Sequence, residues 1–212
     1  MMGRTHFAAA IFAFGAVNTF ASQFVPPLLV GTLPIPGAVL GLPLATLSGM
    51  LPDIDEEHSW ISNPKDRVPL VGPILQVAAQ AIAFTLNRLP LLNRLIGHRT
   101  ITHSGLALMA LGYLAVTWEL RFHSALFLAL ILGFAVHLTL DAMTPAGIPL
   151  LWPIPMRFRF PVTFRADGKM DRLLRSVFTV GIGWLVVLAL PLSVRVDLLS
   201  ELQSLLGTAV SP

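Results

Sequence analysis

The chain contains no cysteine. Disulfides, thiolate metal sites and a cysteine nucleophile are therefore all excluded. Charge is scarce as well: only 12% of residues are Asp, Glu, Lys or Arg, against about a quarter in a soluble domain. No low-complexity linker and no internal repeat divides the sequence, so a single domain over residues 1–212 is expected. Apolar residues fill the space that charge leaves. They make up 55% of the chain, and the mean hydropathy is +0.76. Long apolar runs with so few charges indicate a membrane-embedded chain rather than one large soluble core.

A helix needs about 20 mostly apolar residues to cross the hydrocarbon core. Residues 7–30, 35–51, 101–118, 124–143 and 176–194 qualify as candidates, which predicts an all-α, polytopic transmembrane bundle of about five spans. Residues 68–86 are long enough but carry Gln76, Gln80 and the pair Gly72-Pro73, so an interfacial or re-entrant helix is expected there. It falls within a cytoplasmic or interfacial region, 53–100. Orientation follows from the basic residues, because short cytoplasmic loops accumulate them. Arg157, Arg159, Arg165, Lys169, Arg172 and Arg175 crowd one loop, 157–175, which is therefore read as cytoplasmic. Counting back from that loop, and with 68–86 not crossing, only Arg121 and Arg195 fall outside. The stretch after Arg4 has a poor small-residue cleavage pattern and turns apolar again at Phe24, so it is expected to be a retained span rather than a cleaved signal.

With this topology the polar groups share one depth. His6 precedes the first span. Asp53 and Asp55, in "LPDIDEEHS", follow the second, and His98 and His103, in "GHRTITHSG", flank the third. His137 and Asp141 occupy the last turns of the fourth. Four residues apart, that pair projects from one helix face, about 40° apart. In an extended segment after Pro52, Asp53 and Asp55 would point the same way. His98 and His103 can converge if His98 stays in the loop and Thr100 or Thr102 caps the helix. Nitrogen and oxygen ligands without sulfur suit zinc, manganese or iron. Each group also has a plainer reading: an ion pair for His137 and Asp141, turn or capping roles for Asp53 and Asp55, local hydrogen bonding for His98 and His103. His58 and His123 read as solvated.

The segments "LPDID", "GHRTITHS", "GFAVHLTLDAMTPAGIPLLWP" and "RFRFP", in that order, resemble the YdjM family of bacterial inner-membrane proteins, described as metal-dependent hydrolases. The resemblance covers roughly residues 6–161. Some members are linked to the LexA-controlled damage response, which implies nothing about chemistry. Ordered His and Asp motifs on helices are also similar to those of zinc-dependent phospholipase C and P1-type nucleases, an analogy that does not establish function. The resemblance places metal ligands on His6, Asp53, Asp55, His98, His103, His137 and Asp141. It also exposes a departure: relatives often carry histidine directly after the second aspartate, where this chain has Glu56, followed by Glu57 and His58. Glu56 can still bind a metal or act as a base.

Seven ligands exceed the needs of one catalytic zinc, and two ions sharing an aspartate would use them better. Arg99 can bind a phosphate bidentately or serve as a positive-inside anchor. Arg157 and Arg159 read as anchors or lipid-headgroup contacts, and Trp152 as interfacial. The expectation is a hydrolase of the bacterial inner membrane that faces the cytoplasm and acts on a phosphoester of a lipid or lipid-linked substrate. The rival readings are an ion-binding transporter or metal sensor and a non-catalytic scaffold. No nucleic-acid partner is expected, because the basic loop is explained by topology.

Overall fold

The computed structural model describes residues 3–30, 32–55, 77, 81, 100–117 and 124–209. Among them are six α-helices: α1 (Gly3–Phe20), α2 (Gly37–Ser48), α3 (Gly105–Thr117), α4 (Ser124–Ala142), α5 (Lys169–Ala189) and α6 (Leu192–Ala209). The all-helical class expected from the sequence holds, with one small addition. After α1 the chain makes a 3₁₀ turn, Ser22–Phe24, and a hairpin of β1 (Leu28–Val30) and β2 (Leu33–Ile35), in which Leu28 pairs with Ile35.

Among the described residues, two helices, α4 and α5, are long and apolar enough to cross a membrane. At 1.5 Å per residue, the 19 residues of α4 span nearly the whole hydrocarbon core. Among the described residues, the other three expected spans are not continuous helices of that length. The stretch 7–30 is no continuous helix: α1 ends at Phe20, ahead of Pro26 and Pro27, and its first turns carry Arg4 and His6. Residues 35–51 condense to the 12 residues of α2, which starts after Pro36 and contains Pro43. Residues 101–118 begin as a 3₁₀ turn, Ile101–His103, and the described part of α3 has 13 residues. At the other end of the chain, 176–194 is divided at Leu190-Pro191, so α5 stops at Ala189 and α6 follows.

Two local expectations are corrected. The segment "LPDID" is a 3₁₀ turn rather than an extended strand. Neither Thr100 nor Thr102 caps α3; Ser104 does, accepting the Ala107 N–H at 3.2 Å while its hydroxyl donates to the Ile101 carbonyl at 2.6 Å. Of the basic segment 157–175, Lys169, Arg172 and Arg175 stand in the first turns of α5. Residues 68–86 lie outside the described residues apart from Val77 and Ala81, both helical and exposed.

Helix α4 is the centre of the packing. It lies against α2 and α1, and α1 packs in turn on α5. Phe14, Ala45, Ala125 and Ala129 form one buried cluster, and Phe134, Leu138, Ala142 and Ile148 a second. Small residues allow the close approach. A side chain at Gly133 would collide with the Ala45 carbonyl of α2, so only glycine lets these two helices meet. Ser48 strengthens the seam by donating to the Leu130 carbonyl.

Candidate metal centre

Four separate elements bring five of the expected ligands together. His6 comes from the first turns of α1 and Asp53 from the turn after α2. His103 ends the turn before α3, and His137 and Asp141 face inward from the last turns of α4. His103 Nε2 lies 3.3 Å from Asp53 Oδ1, 3.4 Å from Asp141 Oδ2 and 3.3 Å from His137 Nε2. His137 Nε2 is 3.7 Å from Asp53 Oδ1 and 3.9 Å from Asp141 Oδ2. His6 Nε2 approaches the other carboxylate oxygen, Asp141 Oδ1, at 3.4 Å. His6, His103, His137 and Asp141 are all no more than 2% exposed, whereas the Asp53 side chain is 23% exposed. The cluster therefore opens at Asp53.

The backbone explains why these side chains point inward. The Gly49 carbonyl belongs to the last turn of α2, where helix carbonyls have no partner within the helix. His137 Nδ1 donates to it at 2.7 Å. A carbonyl can only accept, so the proton of a neutral His137 ring is on Nδ1 and its Nε2 presents a lone pair to the cluster. His103 Nδ1 meets the Thr102 hydroxyl at 3.1 Å, which orients that ring as well. The His6 ring stacks on His137 with centroids 3.9 Å apart. Among the described residues, neither nitrogen of His6 makes a hydrogen bond, although the ring is buried. Burying an imidazole without hydrogen bonds is unfavourable, and a cation beside it would satisfy one nitrogen.

Spacing gives a second test of fit. Four ligand atoms at 2.0–2.1 Å around a tetrahedral zinc stand about 3.3 Å from one another. The separations of His103 Nε2 and His137 Nε2 from each other, from Asp53 Oδ1 and from Asp141 Oδ2, 3.3 to 3.9 Å, are close to that figure. The buried His and Asp groups can thus hold a metal ion, in two overlapping sets: Asp53, His103 and His137, and His6, His137 and Asp141. Electrostatics favour the ionised form at the rim. Burial works to raise the Asp53 pKa, but the hydrogen bond from His103 and the nearby His137, His6 and His103 rings outweigh it and hold the carboxyl well below its ordinary range.

Of the remaining expected site residues, Glu56, His98 and Arg99 lie outside the described residues. The backbone of Asp55 closes the 3₁₀ turn, and its side chain also lies outside them.

The sequence profile described as YdjM inner membrane protein matches residues 1–199. The chain belongs to the YdjM family. It is 32% identical to Inner membrane protein YdjM of Escherichia coli strain K12 over 151 residues, covering 68% of this chain and 65% of that relative. The Shigella flexneri protein of the same name matches to the same extent. The chain thus spans a little under two thirds of the length of these YdjM relatives. Uncharacterized protein YvsG of Bacillus subtilis is 28% identical over 123 residues, 51% of this chain and 76% of its own length. No solved structure matches. The relatives' names and the two apolar helices fit a bacterial inner-membrane protein.

Some supporting groups escaped the sequence reading. Asp171, 1% exposed, accepts the Thr5 hydroxyl at 2.7 Å and the Asp167 N–H at 3.2 Å, tying α5 to the turn that carries His6. The only signal in the sequence was an aspartate in the first turn of a helix, which ordinarily reads as a dipole partner.

Proposed function

We propose that this YdjM-family chain is a metal-dependent hydrolase of the inner membrane, with its site at the cytoplasmic face and zinc as the preferred ion. The observation that carries the reading is that His103 and His137 each lie 3.3 to 3.9 Å from both Asp53 and Asp141 in a buried cluster. These four would hold one ion. Asp141 Oδ1 and His6 remain on the far side of the same carboxylate and would hold a second, with Asp141 shared. His137 cannot serve both, since its Nδ1 is committed to Gly49.

Bound zinc supplies Lewis acidity toward water and toward a phosphoryl oxygen. The chain's own groups supply the rest. His6, His103 and His137 fix the donor atoms, and the Gly49 carbonyl fixes the His137 ring. The opening at Asp53 is the side from which a substrate enters. Glu56 is assigned proton transfer and Arg99 the binding of a substrate phosphate, through a bidentate contact. A phosphoester of a lipid or lipid-linked molecule is the leading substrate, because the cluster lies at the end of a membrane-length helix. A conduit is disfavoured, since the half of α4 away from the cluster, with "LFLALIL", is apolar.

The test is the metal content of detergent-purified protein. Wild type should carry about one to two zinc ions per chain, and His137→Ala and Asp141→Ala should each lose at least about tenfold in affinity. Near-zero metal in the wild type overturns the reading. Stoichiometric metal without release of phosphate or headgroup from any lipid phosphoester would leave a metal-bearing scaffold.

A further inference from the structure

Between Asp141 and Asp167 the chain has no acidic residue, yet it carries Arg157, Arg159 and Arg165. The same stretch displays Leu151, Ile154, Met156, Phe158, Phe160 and Val162 with 39% to 72% of their surface exposed. These are not the side chains of a loose loop. Ile148 and Phe158 exchange both backbone hydrogen bonds, at 2.9 and 2.8 Å. The Phe160 and Phe164 N–H groups donate to the Ala142 and Met143 carbonyls at 2.9 and 3.0 Å, and the Leu150 carbonyl accepts the Gly105 N–H at 2.9 Å. Phe164 is plugged into a cluster with Ala9 and Leu140. Gly147 makes the fit possible: its φ is +61°, and a side chain there would meet the Phe158 carbonyl. Prolines at 145, 149, 153, 155 and 161 restrict the backbone further. The segment is thus fastened to the start of α3 and the end of α4, the elements that follow His103 and carry Asp141.

A fixed surface that points apolar side chains outward, with arginines interleaved and no compensating acid, suits an interface that is both apolar and negatively charged. We propose that residues 151–165 form an anionic-phospholipid docking surface, with the apolar side chains entering the acyl boundary and Arg157 and Arg159 engaging headgroup phosphates. Arg157 and Arg159 are exposed, one Arg157 nitrogen donating to the Ala146 carbonyl at 3.4 Å, and guanidiniums are suited to paired contacts with phosphate oxygens. No ion is required, so this surface stands or falls separately from the metal reading.

The chain's lack of cysteine allows a direct test. Val162→Cys, at a position 72% exposed, gives a single attachment point for an environment-sensitive fluorophore. The labelled protein is reconstituted in liposomes of phosphatidylcholine alone or mixed with phosphatidylglycerol. In the anionic liposomes the emission should shift to the blue and iodide quenching should fall, and salt should reverse both changes. Each arginine near an anionic surface is worth about fivefold in the docking equilibrium, so Arg157→Gln with Arg159→Gln should weaken it about 25-fold, while Arg157→Lys with Arg159→Lys preserves it. Equal shielding in both lipids, or no change in the Gln pair, overturns the proposal. Shielding that rises with protein density instead of anionic lipid marks a contact between copies and overturns it too.

Discussion

His137 shows how one residue can be committed on both sides: Nδ1 is held by a carbonyl and Nε2 is turned toward three other donor atoms. Asp53 is the cluster's exposed counterpart, and its pH behaviour can be derived. Its carboxyl is held below the ordinary range. A depressed folded pKa gives stability that is complete above the unfolded value of about 4 and is lost as pH falls through the folded value. Chelator-treated wild type should therefore lose stability on the acid side of about pH 4. Asp53→Asn should melt several degrees lower at about pH 7 and show a flatter acid limb, as followed by circular dichroism between about pH 7 and pH 3. Identical acid limbs would show that Asp53 is not coupled to the histidines. The ligands themselves were legible in the sequence because ionisable groups are rare in apolar surroundings. Their supports were not. Gly49 lies 88 residues from His137 and Thr5 lies 166 from Asp171, and no local pattern encodes pairings at that distance.

At the scale of elements, the α2–α4 seam decides whether the ligands meet. Gly133 faces Ala45, Ser48 bonds Leu130, and one residue further on the Gly49 carbonyl reaches His137. Gly133→Val would force the helices apart at a point with no free space. Overpacking of this kind costs about 1–3 kcal/mol, so the variant should melt several degrees lower and bind metal more weakly. Gly183→Ala in α5 is the control: nothing lies within 4 Å of the added carbon, and its stability should hold or rise slightly. Equal melting and equal metal content in the two variants would count against the seam. The sequence located α4 almost to the residue, because there the apolar run and the helix coincide. It misplaced α5, whose first turns are basic and so lie outside any apolar window. It overextended α1 and α2, because the expected runs 7–30 and 35–51 take in Pro26, Pro27 and Pro36, which lie beyond the helix ends.

For the whole molecule the question is how many times the chain crosses and which way the cluster faces. Among the described residues, two helices are long and apolar enough to span, while Asp53 and His103 touch at 3.3 Å. The chain therefore leaves the described structure after Asp55 and returns at Thr100 at a single level. The proposed cytoplasmic orientation of that level rests on the basic residues from Arg157 to Arg175. Reporter fusions test this arrangement as a set. Fusions after Asn63 and after Asp167 should give a fluorescent cytoplasmic reporter and an inactive phosphatase; one after His123, at the opposite end of α4, should give the reverse. Phosphatase activity at Asn63 with fluorescence at Asp167 would place the two halves of the cluster on different sides of the membrane. That result would remove both the shared ion and the cytoplasmic substrate. Phosphatase activity at both would keep the cluster intact and turn it toward the periplasm, where only a substrate on the outer leaflet could reach Asp53.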